Sequence, residues 1–258
     1  MSLWPDTGLV DEVAPSPNHG ERRTKPVDLL ILHYTGMPSA EIALNWLRDP
    51  RSEVSAHYLV LENGRILQLV PEMRRAWHAG AASWGPETDI NSRSIGIEIV
   101  NPGHDYGYPD FPPAQMEAVA ALCRDIVGRH PIPPERVLAH SDIAPDRKRD
   151  PGEKFDWAWL AGRGIGLWVE PAPVRGEDGL REGDEGEAVA ALQGALAGYG
   201  YGLLVTAVFD RPTARVVEAF QRHFRPARVD GVADASTLET LRRLSAARGP
   251  VDPGDPPA

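Results

Sequence analysis

The sequence predicts an α/β fold, in which a mixed central sheet is flanked by helices, followed by a small C-terminal three-helix domain. Short apolar runs bounded by turn residues alternate with segments whose apolar residues recur at helical spacing. A Pro-rich polar stretch then interrupts this alternation at 170–178. Beyond it, a Leu-Gln pair and a Phe-Gln pair occupy comparable places in successive helical segments, which favours a small helical module.

The first part of the chain is predicted to alternate strands with helices. The Asn63-Gly64 pair lies between two apolar runs and is typical of a tight hairpin turn. Residues 113–128 have apolar side chains at helical spacing. In order, the predicted elements are a strand at 27–32 that ends at His33, a helix at 40–47, strands at 55–60, 66–70 and 94–100, the helix at 113–128, and a strand at 137–139 that delivers His140 to a loop.

The remaining segments complete the predicted domain organisation. Helices are expected to begin near 188, 216 and 235. The first 26 residues are rich in Pro, Asn, Asp and Gly, as is typical of irregular structure. We therefore predict an irregular N-terminal arm at 1–26, a first domain at 27–169, a linker at 170–178, a three-helix module at 179–247 and a disordered tail at 248–258.

Composition narrows the class of protein. The 258 residues are 42% hydrophobic and 25% charged, which is ordinary for a soluble globular protein. The formal net charge of -10 argues against a nucleic-acid partner, for which a basic surface is expected. Cys123 is the single cysteine, so no intramolecular disulfide can form, and its apolar helical surroundings predict a buried thiol.

The N-terminal sequence and the hydropathy pattern bear on the cellular compartment. No basic start followed by an apolar run is present, and no apolar stretch is long enough for a membrane span. For the sequence as written we expect a cytoplasmic protein without a membrane span. A truncated sequence would instead be compatible with a periplasmic or outer-membrane-associated protein.

Two histidines and an aspartate suggest a metal site. His33 and His140 each follow a short apolar strand, and strand ends are where α/β sheets place ligands. Asp150 precedes Pro151-Gly152, a turn that would fix its carboxylate, although such a turn also forms without metal. Two imidazoles and one carboxylate leave a coordination position open, which is typical of a catalytic zinc site, and other divalent metals would also fit these donors.

Glu98 is the candidate acid/base. Ile95, Ile97 and Ile99 alternate onto one face of a strand, so Glu98 points to the opposite face. A carboxylate within a strand is costly unless it is paired or faces a wet cleft, so the alternatives are an ion pair with a core arginine and an active-site base. Lys148 lies two residues before Asp150. It is a candidate for the cation of the site, and the alternative is a solvated loop lysine.

Several further residues are candidates for contact with a substrate. His78 lies next to Trp77, and for this histidine a substrate-facing role and structural packing are both open. Tyr34 and Asn101 are the other candidates. For His57 we predict a structural role or one that supports a metal ligand.

At these residues the chain resembles the zinc-dependent N-acetylmuramoyl-L-alanine amidases of the phage-lysozyme and peptidoglycan-recognition-protein class. It looks most like the AmiD-like branch, in which this domain precedes a peptidoglycan-binding module. In the first domain the similar positions are 33–35, 55–60, 68–72, 76–80, 94–98, 140–152 and 164–168. In the module they are 180–184, 192–193, 209–210, 213, 220–221, 230–231 and 237, and Ala207 stands where a glycine is common.

The resemblance implies a peptidoglycan-recognition-like amidase fold and one Zn²⁺ per chain. His33, His140 and Asp150 would hold the metal, Glu98 would be the catalytic acid/base, and Lys148 would assist it. The implied partners are peptidoglycan or muropeptide fragments. The implied reaction is hydrolysis of the amide between N-acetylmuramic acid, or its anhydro form, and L-alanine of the stem peptide, as in cell-wall degradation and recycling.

Two other functions are alternatives to amide hydrolysis. Some proteins of this fold bind peptidoglycan without cutting it, typically where a metal ligand is missing, whereas this chain has the whole set. A zinc D-alanyl-D-alanine peptidase would continue its Ser-x-His motif with a glycine and an aspartate ligand. Here Ser55-Ala56-His57 continues with Tyr58 and Leu59, which disfavours that function.

Overall fold

The central sheet is mixed, as predicted. The computed structural model describes residues 4–23, 26–176 and 178–248. Its strands are β1 (Glu12–Val13), β2 (His19–Glu21), β3 (Leu29–Tyr34), β4 (Tyr58–Val60), β5 (Ile66–Gln68), β6 (Arg74–Ala76), β7 (Ser94–Ile99), β8 (Val137–Ala139), β9 (Gly179–Leu180) and β10 (Ala233–Asp234). Six of them form one sheet in the order β1-β5-β4-β7-β3-β8, in which only β4 and β5 are antiparallel.

The helices at 40–47 and 113–128 and those beginning near 188 and 235 lie close to the predicted segments, whereas the helix expected to begin near 216 begins at Arg211. The helices are α1 (Ala40–Arg48), α2 (Ile90–Arg93), α3 (Pro113–Arg129), α4 (His140–Ile143), α5 (Trp157–Ala161), α6 (Glu187–Tyr199), α7 (Arg211–Phe224) and α8 (Ala235–Ala247). Ser39 begins α1 by accepting a hydrogen bond from the amide of Ile42. Cys123 is buried within α3, and this burial raises the pKa of its thiol to about 12. Within the described ranges, no helix has the length and apolarity to cross a bilayer.

The two faces of β3 pack against different parts of the molecule. Leu30 and Leu32 belong to a hydrophobic cluster that includes the buried face of α3. Leu29 and Ile31 point the other way and belong to a second cluster, which also contains buried residues of α6, α7 and α8. The C-terminal helices therefore share a core with one face of the central sheet.

The N-terminal arm differs from the prediction of irregular structure. Strand β1 pairs in parallel with β5, and β2 pairs antiparallel with β6. Backbone hydrogen bonds from Asp11 to Ile66 and from Ala14 to Gln68 extend the first pairing. Strands of two or three residues are too short to show an alternating pattern, so composition alone indicated a loop.

The predicted linker is fastened to the last helix. The amide of Ala172 donates to Thr240 Oγ1, and its carbonyl accepts from Ser236 Oγ. Of the predicted disordered tail, Arg248 is described and donates to the carbonyls of Gly198 and Tyr199, while the rest lies outside the described residues. The domain boundaries stay predictions.

The C-terminal helices contain an internal repeat built on two buried glutamines. Gln193 accepts from the amides of Thr206 and Ala207 and donates to Val208 and to Thr213 Oγ1. Gln221 makes the equivalent four bonds to a second set of partners, namely Asp230, Gly231, Val232 and Thr237. The Leu-Gln and Phe-Gln pairs of the sequence thus mark a repeated set of hydrogen bonds that joins each helix to the turn that follows it.

Ala207 occupies a position that suits glycine. Its φ of +61° lies in the left-handed region, where a Cβ costs about 1 kcal/mol. We expect Ala207→Gly to raise the free energy of unfolding by up to about 1 kcal/mol. Ala195→Gly, on the exposed face of α6, is the control and should lower it by a similar amount. Denaturant titration of both variants measures this, and a destabilised Ala207→Gly would contradict it.

Candidate metal centre

Three adjacent parallel strands place the candidate residues at one edge of the sheet. His33 lies in β3, directly opposite Glu98 in β7. On the other side of β3, β8 runs into α4, whose first residue is His140. The prediction of a loop at His140 was therefore wrong, because the segment forms one helical turn. The amide of Ser141 donates to the carbonyl of Asp150, which returns that aspartate to His140.

The three predicted metal ligands meet in a buried cluster. His33 Nδ1 lies 2.8 Å from His140 Nδ1. Asp150 Oδ2 lies 2.9 Å from His140 Nδ1 and 3.2 Å from His33 Nδ1. The three side chains are the group of potential ligands, among the described residues, whose donor atoms lie within 4.8 Å of one another. These residues could bind a metal ion.

A chain of hydrogen bonds fixes the tautomer of His33. Ser94 Oγ donates to the carbonyl of Ile90, so it accepts from His78 Nε2 at 3.1 Å. His78 Nδ1 then carries a lone pair and accepts from His33 Nε2 at 3.0 Å. With its hydrogen on Nε2, neutral His33 turns the lone pair of Nδ1 toward Asp150. Gly96 leaves room for this arrangement, because a Cβ there would lie 2.5 Å from the His78 ring.

His140 is held in the matching orientation. Its Nε2 lies 3.1 Å from the carbonyl of Ala79, to which it can only donate. Nδ1 of each ring and Oδ2 of Asp150 therefore face one another as electron-pair donors. A positive charge must lie among these three atoms, either a proton or a metal ion. Nitrogen and oxygen donors without sulfur fit zinc, so the residues present suit that metal.

The pKa shifts agree with a ligand set that is ready to bind a cation. Burial, together with the neighbouring His140, lowers the pKa of His33 to about 4. Burial alone would raise the pKa of Asp150, but a proton shared with the adjacent rings of His140 and His33 outweighs it and holds that pKa well below its usual range. The imidazole of His33 and the carboxylate of Asp150 are thus in the forms that metals bind near neutral pH.

Glu98 has the environment of a catalytic carboxyl group. Its Oε2 is buried and has no hydrogen-bond partner among the described residues. Burial and the charge of Asp150 raise its pKa well above the usual value, and Lys148 opposes them. No arginine forms an ion pair with Glu98 in the described ranges, so the alternative of a core ion pair has no support. A strongly perturbed carboxyl group in a cleft is typical of an active site.

A pocket of about 320 Å³ opens over this cluster. Glu98, Lys148, Tyr34, Trp77 and His78 all line it, together with His140 and Asp150. The hydroxyl of Tyr34 lies 2.9 Å from His104 Nδ1, and burial raises the pKa of Tyr34 to about 12. Most of the predicted site residues therefore share one cavity.

Two candidates for substrate contact have other roles in the structure. Asn101 is not among the lining residues, since its amide donates to Pro109 and its Oδ1 accepts from Gly103. This side chain shapes the loop after β7, and its contact with a substrate stays a prediction. His78 reaches the pocket, but both of its ring nitrogens are engaged by His33 and Ser94. Structural packing is thus the better description of His78.

Sequence reasoning missed several lining residues. Arg147 and Arg149 flank Lys148 in a run of three basic residues beside the candidate ligand Asp150, and this run is a signal in the sequence that points to them. Trp46 also lines the pocket from α1, and nothing in its local pattern distinguishes it from a surface residue. His104, which had no supporting context in the sequence, holds the hydroxyl of Tyr34.

Two family profiles match this chain. One is described as N-acetylmuramoyl-L-alanine amidase and matches residues 23–153. The other is described as a putative peptidoglycan binding domain and matches residues 185–241. The first range holds all three members of the histidine and aspartate cluster, and the second holds all of α6 and α7 and the first half of α8.

Relatives match across both parts of the chain. The N-acetylmuramoyl-L-alanine amidase AmiD of Escherichia coli (strain K12) is 42% identical over an alignment of 230 residues, which covers 84% of this chain and 82% of that protein. A solved complex of E. coli AmiD with the substrate anhydro-N-acetylmuramic acid-L-Ala-D-gamma-Glu-L-Lys has a TM-score of 0.74 and 40% identity, covering 88% of this chain and 92% of that one. AmpDh3 of Pseudomonas aeruginosa in complex with anhydromuramic pentapeptide has a TM-score of 0.71 and 31% identity, covering 95% and 98%.

Proposed function

Since this chain belongs to the N-acetylmuramoyl-L-alanine amidase family, we propose that it hydrolyses the amide bond between N-acetylmuramic acid, or its 1,6-anhydro form, and L-alanine of the peptidoglycan stem peptide. The observation that carries this proposal is a set of three inward-facing donor atoms beside Glu98, whose buried Oε2 has no hydrogen-bond partner among the described residues. The reaction would serve cell-wall degradation or muropeptide recycling.

His33, His140 and Asp150 would hold one Zn²⁺ per chain. When bound, the ion supplies Lewis acidity, which polarises the scissile carbonyl and makes an attacking water more acidic. Glu98 takes a proton from that water and returns it to the departing amine of L-alanine. Lys148, on the rim of the same pocket, places a positive charge where the tetrahedral oxyanion develops.

The pocket offers recognition for an acidic peptide. Arg147, Lys148 and Arg149 line it within a chain whose formal net charge is -10. A stem peptide with a γ-linked glutamate, such as the one bound to E. coli AmiD, keeps a free α-carboxylate. Guanidinium groups suit such carboxylates, while Trp77 and Tyr34 provide flat surfaces for the sugar and the peptide. The C-terminal module would bind intact peptidoglycan.

Product analysis tests the proposed function. Purified protein is incubated with anhydro-muropeptides and, separately, with sacculi, each with and without a chelator. Mass spectrometry should detect free stem peptides that begin with L-alanine, and the chelator should suppress them until zinc is restored. Release of D-alanine alone would favour a peptidase, and binding without any product would favour a recognition protein.

The raised pKa of Glu98 predicts the acidic limb of the pH profile. A base must be deprotonated, so kcat/KM should fall as the pH drops through the pKa of Glu98, which burial and Asp150 raise and which Lys148 and a bound cation lower. Lys148→Gln removes a charge that lowers this pKa, so the limb should move to higher pH. Arg163→Gln, which affects an ion pair with Glu117 away from the pocket, is the control. A limb that stays in place in Lys148→Gln would contradict this assignment.

A further inference from the structure

The segment that carries His140 is held by residues of the C-terminal module. Asp142, two residues after His140 in α4, is fully buried. Its Oδ1 accepts from the hydroxyl of Tyr201 at 2.8 Å, and its Oδ2 lies 2.6 Å from His223 Nδ1. Oδ2 also accepts from the amide of Ala139, the residue before His140. The module therefore supplies two of the three donors that satisfy this buried carboxylate.

Arg222, the residue before His223, reaches the segment that carries Asp150. Arg222 Nε lies 4.0 Å from Glu153 Oε2, and Glu153 is three residues after Asp150. Glu153 also accepts a hydrogen bond from His104 Nε2 at 3.1 Å, and His104 Nδ1 in turn accepts one from the hydroxyl of Tyr34. His223 and Arg222 of α7 thus contact the segment that carries His140 and the segment that carries Asp150, respectively.

Packing makes these contacts rigid. The His223 ring stacks on Trp157 with ring centroids 3.8 Å apart. His223 and Tyr201 are 2% exposed or less, so water cannot readily replace their bonds to Asp142. Ile143 of α4 belongs to the hydrophobic cluster that includes the helices of the module. An unsatisfied carboxylate in this place would favour a shift of α4 and, with it, of His140.

We infer that Tyr201 and His223 are positioning residues of the amidase reaction, so that the module completes the metal centre and does more than bind peptidoglycan. This inference deepens the proposed function and rests on it for its kinetic part. Positioning acts through the bonds to Asp142, which orient α4 and the imidazole of His140. Substitution of residues that hydrogen-bond a metal ligand directly typically changes metal affinity or activity by about 10- to 100-fold, and we expect the lower end of this range because Tyr201 and His223 act through Asp142.

Two variants of the 258-residue chain, whose substituted side chains have the same shape as each other, test the inference. In His223→Asn the side-chain amide nitrogen can take the place of Nδ1, whereas His223→Leu has no donor there. On a soluble anhydro-muropeptide we expect His223→Leu to lower kcat by about tenfold or more, with KM changed by less than about twofold. Its Kd for Zn²⁺ should rise by about tenfold, and His223→Asn should restore both quantities to within about threefold of wild type.

Further variants separate positioning from loss of the fold. Tyr201→Phe removes one oxygen atom and should lower kcat and raise the Kd for Zn²⁺ by smaller factors than His223→Leu. If His223→Leu does not fold, Tyr201→Phe serves as the test of the inference. Leu238→Ala, at an exposed position on α8, is the control and should leave both quantities unchanged. A small substrate is used because it does not need the module as an anchor.

The outcomes are distinguishable. If His223→Leu and Tyr201→Phe keep the kcat and Zn²⁺ affinity of wild type, or if His223→Asn is as impaired as His223→Leu, the inference is wrong. Weaker Zn²⁺ binding in His223→Leu with rescue by His223→Asn supports it, even if the wild-type protein cleaves no muropeptide. Absence of muropeptide cleavage by the wild-type protein would overturn only the proposed function.

Discussion

Glu98→Gln is expected to lower kcat by roughly 10²- to 10⁴-fold while zinc occupancy stays close to that of wild type. Glutamine keeps the size of the side chain but cannot take a proton from water. Glu98 does not belong to the three-residue ligand cluster, so metal binding should survive. Turnover of anhydro-muropeptide and metal analysis of the same sample measure the two effects, with the exposed Glu62→Gln as control. Normal turnover in Glu98→Gln would remove Glu98 from the mechanism.

The same variant should show how Glu98 changes the free energy of unfolding of the metal-free protein. The pKa of Glu98 is raised in the folded state, so this state binds its proton more tightly than the unfolded chain does. Its contribution to stability is therefore present below the ordinary pKa and is lost as pH rises through the raised pKa. We expect metal-free Glu98→Gln to be more stable than metal-free wild type at high pH, by roughly 1 kcal/mol. Denaturant titration at several pH values checks this sign.

The central sheet and the members of the candidate site could be predicted from local sequence. His33 and His140 each follow an apolar strand, and parallel neighbours bring such ends together. The alternation of Ile95, Ile97 and Ile99 correctly indicated that Glu98 points away from the core, because side chains in a strand alternate. These inferences need only periodicity and the geometry of a parallel sheet.

The roles of supporting residues could not be predicted in the same way. His78 orients His33 through a hydrogen bond that joins residues 45 positions apart. The bond between His223 and Asp142 spans 81 positions, and the sequence pattern of a separate three-helix module gives no sign of it. Such contacts depend on how complete layers pack, and a linker rich in proline suggested independence where the structure has a shared core.

Asp150→Asn is expected to lower zinc affinity by at least about 100-fold, and activity at limiting metal should fall with it. The substitution keeps the shape of the side chain and removes the negative charge that faces His33 and His140. A neutral amide gives the cation no compensating charge, and its nitrogen would place hydrogens among the ligand atoms. Metal analysis after dialysis, together with calorimetric titration of Zn²⁺, measures the loss.

Asp146→Asn is the matched control for this prediction, because Asp146 lies in the same short segment with an exposed side chain. It should bind zinc as wild type does. The metal-free proteins add a second test: the pKa of Asp150 is depressed in the folded state, so its contribution to stability is present at neutral pH and is lost as the pH falls. Asp150→Asn should lack that part of the pH dependence. Full zinc occupancy in Asp150→Asn would contradict the ligand assignment, and with it the placement of the reaction beside Glu98.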